Sequence, residues 1–228
     1  MDFELTEVQR DIQKAAREFA ETEFDKDYIL DLELNHKYPW GLLQKASELA
    51  FITIDFPEEY GEQGYGFLGK ALALEELCRV GAGVGSDVGA SQFASKILLK
   101  SGSEEQKKKY LTLVCNGEGL PVAGDFTEPD RGSDLITQPL STTAVKDRGD
   151  YILNGTKTFI THGAYARFAA EPYEKDPAVI PPYRGQSAII IDKPAEQKGT
   201  SITEFTKMGH NSCSTANQLG VLRRRQSA

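Results

Sequence analysis

A change of hydrophobic period near Gly119 constrains this chain more than any other feature. Before it, apolar residues recur at the three- and four-residue intervals of helix faces. After it, they fall in short runs rich in β-branched and aromatic side chains. Helices first and strands second implies an α+β chain and excludes alternating βαβ units; in keeping with that, no GxGxxG follows any strand.

In the first half, Thr6 and Gln9 have capping-box spacing, and Val8, Ile12, Ala15, Ala16 and Phe19 share one face, which predicts a helix over 6–24. Pro39 suits a first turn, and Leu42, Leu43, Ala46, Leu49 and Ala50 carry a second helix to Phe51. A loop rich in turn formers over 56–64 precedes an apolar stripe of Leu68, Ala71, Leu72, Leu74 and Leu77. One further helix is predicted over 86–100, burying Val88, Phe93, Ile97 and Leu98. Ser103 caps another, whose lysines 107–109 read as solvated surface.

In the second half, strands are expected over 142–145, 150–153, 157–160 and 187–191, with Asn154-Gly155 as a hairpin turn. The predicted architecture is an N-terminal helical bundle over 1–119, an antiparallel β-barrel or sandwich over 120–216, and a divergent basic tail over 217–228.

Thirty-four acidic against 26 basic side chains leave a net charge of -8, which repels a phosphate backbone and disfavours nucleic acid as a partner. No apolar run approaches the roughly 20 residues of a membrane span, so no membrane insertion is expected. Three widely separated cysteines, Cys78, Cys115 and Cys213, fit neither a disulfide framework nor CxxC-spaced zinc ligation. A reducing, cytoplasmic setting without a bound metal is the expectation.

Two polar stretches carry the chemistry. Phe126-Thr127-Glu128-Pro129-Asp130-Arg131-Gly132-Ser133-Asp134 reads as a loop at a strand end whose hydroxyls and flexible glycine can aim donors at an anion or a heterocycle. Asn154-Gly155-Thr156-Lys157-Thr158-Phe159-Ile160-Thr161-His162-Gly163 reads as a turn feeding a strand that ends in a hydroxyl. Taken singly, the first reads more simply as a surface turn and the second as a hairpin.

In order and spacing together, these stretches resemble the flavin-binding motifs of the acyl-CoA dehydrogenase family, Thr-Glu-Pro-x-x-Gly-Ser-Asp and Asn-Gly-x-Lys-x-Trp/Phe-Ile-x-Asn-Gly. The resemblance extends to Pro57-Glu58-Glu59-Tyr60-Gly61 with Gly64, Glu75-Glu76, residues 102–111, and Lys207-Met208-Gly209 with Ser214-Thr215-Ala216. It implies FAD as cofactor. Thr127, with the backbone around Gly124 and Phe126, would address the flavin's pyrimidine end. Thr161 and the Ile160 backbone would address N5 and the C4 carbonyl. Phe159 would pack on the ring as an apolar surface, and Gly132 with Ser133 would orient the pyrophosphate.

The implied activity is α,β-desaturation of an acyl-CoA, with an electron-transfer flavoprotein as acceptor and a homotetramer as the family assembly. Oxygen would replace that acceptor in the related oxidases. Overall similarity leans toward dehydrogenases of glutaryl-CoA. However, Gly85 stands near the position of the arginine that would pair with the distal carboxylate, which favours a neutral acyl chain.

The sequence departs from the family pattern in several places. The family's catalytic glutamate lies in a third, helical domain that this sequence does not reach, so no base is assigned, and a truncated, weakly folded chain is expected. The alternative is a noncatalytic remnant or partner subunit that binds FAD or CoA esters. Glu75, Glu76, Glu128 and Asp134 are expected to be structural or surface carboxylates, and His36, His162 and His210 to make no catalytic pair. His162, in place of the family asparagine, is expected at the surface. Glu62 occupies a usual glycine position, Asn211 replaces a basic residue, and Pro172 falls where an apolar strand belongs.

Overall fold

A computed structural model describes residues 4–60, 63–147, 150–207, 210 and, as backbone alone, 214–225. The chain forms two compact units, Met1–Leu120 with Lys207–Ser212, and Pro121–Thr206 with Cys213–Ala228.

The first unit is helical: α1 (Glu7–Glu23), α2 (Lys26–Leu34), α3 (Trp40–Glu48), α4 (Gly66–Val80), α5 (Ala82–Ala90), α6 (Ser95–Ser101) and α7 (Glu104–Cys115). The α1 capping box forms: the Gln9 amide donates to Thr6 Oγ1 at 3.3 Å, and the Thr6 amide donates to Gln9 Oε1 at 2.9 Å. Its buried face is Ile12, Ala16, Phe19 and Ala20, one stripe of a 3.6-residue period. Ser103 and Gln106 make the same box at the start of α7. Gly85 lets α5 lie almost against α4, since a Cβ there would stand 2.8 Å from the Cys78 amide nitrogen. A groove of about 590 Å³ runs beside α1, lined by Ile12, Phe19, Leu49, Phe51, Ile54 and Tyr65 among others.

Two features differ from the predicted helices. The single helix expected over 86–100 is two, α5 and α6, separated by turns, and Phe93 in that break is 56% exposed. The helix α2 was not predicted; it buries only Leu32, so its apolar residues mark no face.

The second unit holds β1 (Val122–Gly124), β2 (Thr143–Asp147), β3 (Asp150–Thr161), β4 (Phe168–Glu174), β5 (Gln186–Asp192), β6 (Thr200–Glu204) and β7 (Ser214–Arg225). The sheet runs β1-β4-β2-β3-β7-β6, with β5 also on β4. It is mixed, where antiparallel pairing throughout was expected. β1 pairs parallel with β4 over three residues, β2 meets β4 in parallel at Thr143 and Glu174, and the other pairings are antiparallel. No pairing among the described residues closes the sheet.

Asn154-Gly155 is no turn. It lies inside the 12-residue β3 at a register shift between Leu153 and Gly155, where a Cβ on Gly155 would stand 2.7 Å from Thr142 Cβ. Residues 217–225, expected as an unrelated tail, continue β7 alongside β3. Gly61, Glu62, Met208, Gly209, Asn211 and Cys213 lie outside the described residues.

Pro172 sits within β4, contrary to expectation, and the pairing explains how. β5 covers one side of β4 along its whole length. On the other side β1 ends opposite Ala170 and β2 begins opposite Glu174. The gap leaves the nitrogen of Pro172 with no strand partner to serve.

Candidate functional site

Both motif stretches fall in the sheet unit and meet there. The chain leaves β1 through Asp125, whose amide donates to the Ala170 carbonyl at 3.1 Å, and Glu128 and Arg131 close a tight turn by reciprocal backbone bonds of 2.9 and 3.0 Å. The Thr158 amide on β3 donates to the Thr127 carbonyl at 2.9 Å, docking the first stretch onto the second.

Beneath this contact lies a buried polar centre. The Glu128 carboxylate accepts the Ser141 amide at 2.6 Å, the Thr142 amide at 2.9 Å and Lys157 Nζ at 3.0 Å, with both charged side chains 0% exposed. Lys157 Nζ also donates to the Pro172 carbonyl at 2.9 Å, across the gap beside β4. Burial pushes the Glu128 carboxyl upward, but the Thr142 bond, the Lys157 charge and the Ser141 amide outweigh it and hold the group below the ordinary carboxylate range.

Glu171 has the opposite fate. It is fully buried, and among the described residues neither carboxylate oxygen has a hydrogen-bond partner. Burial first, then the charge of Asp125, raises it well above the usual value against the opposing pull of Lys157.

Around this centre the expected site residues take these places. Gly124 ends β1, half-buried, and the amide of half-buried Phe126 donates to its carbonyl at 3.0 Å. Thr127 and Thr161 are half-buried, and among the described residues neither hydroxyl has a hydrogen-bond partner. Gly132 and Ser133 are exposed; just beyond them Asp134 accepts the Thr137 hydroxyl and the Ile136 and Thr137 amides, and these bonds keep its carboxyl low.

Phe159 sits at the register shift between Lys157 and Ile160 with φ 56°, a left-handed conformation that costs a bulky residue energy and turns its ring outward, 66% exposed. Its ring centroid is 5.1 Å from that of Phe205. Ile160 is buried, its side chain in the core with Ala123, Ala166 and Ala169. His162 is wholly buried, which corrects the expected surface imidazole.

The other candidates are structural. Glu76 is buried between α1 and α4, taking Arg17 at 2.6 and 2.9 Å and Arg79 at 2.9 Å. The Arg17 bond leads the causes that bring its pKa down to about 2. His210 pairs through Nε2 with buried Asp87, and its amide donates to Glu33 at 3.1 Å. Asp125 and Glu171 escaped the sequence reading; the available signal was a lone acid inside each of two otherwise apolar strand-like runs, VAGDF and FAAEPY.

The fold and site define a helical unit leading into a mixed sheet that presents two docked, hydroxyl-bearing segments. The acyl-CoA dehydrogenase N-terminal domain profile matches residues 6–118, and the acyl-CoA dehydrogenase middle domain profile matches residues 123–219. The chain belongs to the acyl-CoA dehydrogenase family.

It is 34% identical over 221 residues to the short-chain-specific acyl-CoA dehydrogenase of Clostridium acetobutylicum, an alignment covering 94% of this chain and 55% of that protein. The structure of the glutaryl-coenzyme A dehydrogenase glutaryl-CoA complex superposes with a TM-score of 0.89 at 27% identity, covering 99% of this chain and 57% of that one. PigA with FAD and proline superposes with a TM-score of 0.86 at 30% identity, covering 100% of this chain and 58% of that one. The chain thus spans a little over half the length of these relatives. Among the described residues no helix is long and apolar enough to cross a membrane, and no group of three His, Cys, Asp or Glu could hold a metal ion.

Proposed function

We propose that this chain supplies the FAD-binding surface of an acyl-CoA dehydrogenase, an oxidoreductase acting on the CH–CH bond α,β to a thioester. The observation that carries this reading is the Thr158–Thr127 backbone bond, which sets the two motifs side by side, with neither threonine hydroxyl hydrogen-bonded among the described residues. That donor set suits the rim of an isoalloxazine, where hydrogen bonds favour the reduced, more electron-rich ring.

Thr127 and the Gly124 and Phe126 backbone would face the pyrimidine end, Thr161 and the Ile160 backbone the N5 edge, and Gly132 with Ser133 the pyrophosphate. Phe159, already turned outward, would cover the ring and exclude water. Bound FAD supplies the hydride-accepting chemistry.

Glu128 is engaged by three donors and Glu171 is sealed in the interior, so neither carboxylate can reach an α-proton. Neither is therefore assigned as a base. By the same family resemblance, an electron-transfer flavoprotein is the proposed acceptor, a neutral acyl-CoA the substrate, a homotetramer the assembly and the cytoplasm the setting.

Titrating the purified chain with FAD tests the reading: flavin fluorescence should quench on binding, with binding weakened when Thr127 and Thr161 are both changed to Val. Equal binding by that double variant would overturn the assignment. Bleaching of the bound flavin by an acyl-CoA would instead show a competent enzyme.

A further inference from the structure

The chain contains two Asn-Gly pairs, and the fold holds them very differently. Asn154-Gly155 is locked inside β3: Asn154 pairs with Thr143 of β2, Gly155 pairs with Leu219 of β7, and Gly155 lies hard against Thr142. Turning that peptide would break the ladder on both sides.

Asn116-Gly117 closes the C-terminal end of α7 instead. Asn116 is exposed, and Gly117 follows with φ 81°, the left-handed conformation that glycine adopts without strain. The Gly117 amide donates to the Val114 carbonyl at 3.2 Å, a bond at a helix end, where fraying begins. The Glu118 amide donates to Asn116 Oδ1 at 3.0 Å, which bends the side chain back along its own main chain and polarises its carbonyl.

We propose that Asn116 is a self-modification site, converting through a cyclic imide to aspartate and isoaspartate. The Gly117 nitrogen forms a C–N bond at Asn116 Cγ, the Cγ–Nδ2 bond breaks, and ammonia leaves with the proton from the Gly117 nitrogen. Water then opens the imide. Breaking the new C–N bond gives aspartate; breaking the original peptide bond gives isoaspartate and routes the backbone through the former side chain. One water is consumed, one ammonia is released, and no oxidant or reductant is needed.

Glycine leaves the attacking nitrogen unhindered and free to turn. The Glu118 N–H already sits on the oxygen that becomes negative as the tetrahedral intermediate forms, which is where a fixed donor favours reaction. Either product sets a carboxylate at the C-terminal end of α7, where the helix dipole disfavours it, shortly before the chain passes from the helical unit to the sheet unit at Pro121.

The test ages the full chain at neutral pH and physiological temperature, folded and in parallel in concentrated urea. Peptide mass spectrometry follows conversion at each asparagine, and digestion in heavy-oxygen water marks any conversion during handling. In the folded chain Asn116 should convert several-fold faster than Asn154; in urea the two rates should converge, since the dipeptide is the same. An acidic band on isoelectric focusing should grow at the Asn116 rate and nearly vanish in Asn116→Gln, whose imide would need a larger ring. Conversion of Asn116 no faster than Asn154 in the folded chain, a difference that persists in urea, or an acidic band undiminished in Asn116→Gln overturns the proposal.

Discussion

Replacing Glu171 by Leu should stabilise the chain, and by more at neutral than at acid pH. The native carboxyl sits at 0% exposure with two unpartnered oxygens, and Asp125 adds a repulsive charge. An unsatisfied buried polar group costs about 1–3 kcal/mol, so removing it should return about 2 kcal/mol, less whatever strain the branched side chain introduces. For a chain of this length that is roughly 4–8 °C in melting temperature.

The pH dependence has a definite sign. A carboxyl whose folded pKa is raised keeps its proton while the unfolded chain gives its own up. Its contribution is therefore fully present below the ordinary carboxylate pKa and is lost as pH rises toward the folded value. The leucine variant escapes that loss. Thermal and urea melts at about pH 5 and about pH 7.5 should show the stabilisation growing with pH. A variant less stable than the native chain, or a gain that shrinks toward neutral pH, would refute the reasoning.

Other perturbations have equally definite outcomes. Lys157→Met leaves Glu128 buried without its cation and should cost about 3–5 kcal/mol in urea titrations; changing Glu128→Gln in the same chain should restore part of that loss. Gly155→Ala drives a methyl into Thr142 and should cost about 1–3 kcal/mol, little of it recovered with Thr142→Ala, whose Cβ and Cα still lie 2.7 and 2.8 Å from that methyl, as a double-mutant melt would show. Glu76→Gln should lower stability near pH 7 by roughly 2 kcal/mol. Because Glu76 is held near 2, that difference should persist above its ordinary range and vanish as pH falls toward 2, which paired melts would show. Phe159→Ala should leave the melting temperature almost unchanged, since the ring is mostly exposed, while weakening FAD binding in a fluorescence titration.

Local signals were legible wherever the physics is local. The Thr6–Gln9 and Ser103–Gln106 boxes mark helix starts within a few residues, and both form as spaced. The break between α5 and α6 has no proline or glycine to announce it in residues 91–94, so two helices read as one. Asn154-Gly155 carries the strongest short hairpin signal, yet the glycine there answers a distant need, the close approach of Thr142. The parallel β1 is three residues long and hidden inside a motif.

At the candidate site, the residue types stood out but their mutual support did not. Lys157 finds Glu128 29 residues away, and the isolation of Glu171 is visible only when every surrounding strand is in place.

Lys157 has one further consequence. Where β1 has ended and β2 has not begun, its ammonium reaches the Pro172 carbonyl, so a side chain stands in for the missing stretch of backbone. An imino acid can therefore live inside an interior strand. The two positions are yoked: shortening the lysine would take away that carbonyl's donor, and an ordinary residue in place of the proline would bring an amide with no strand opposite to receive it.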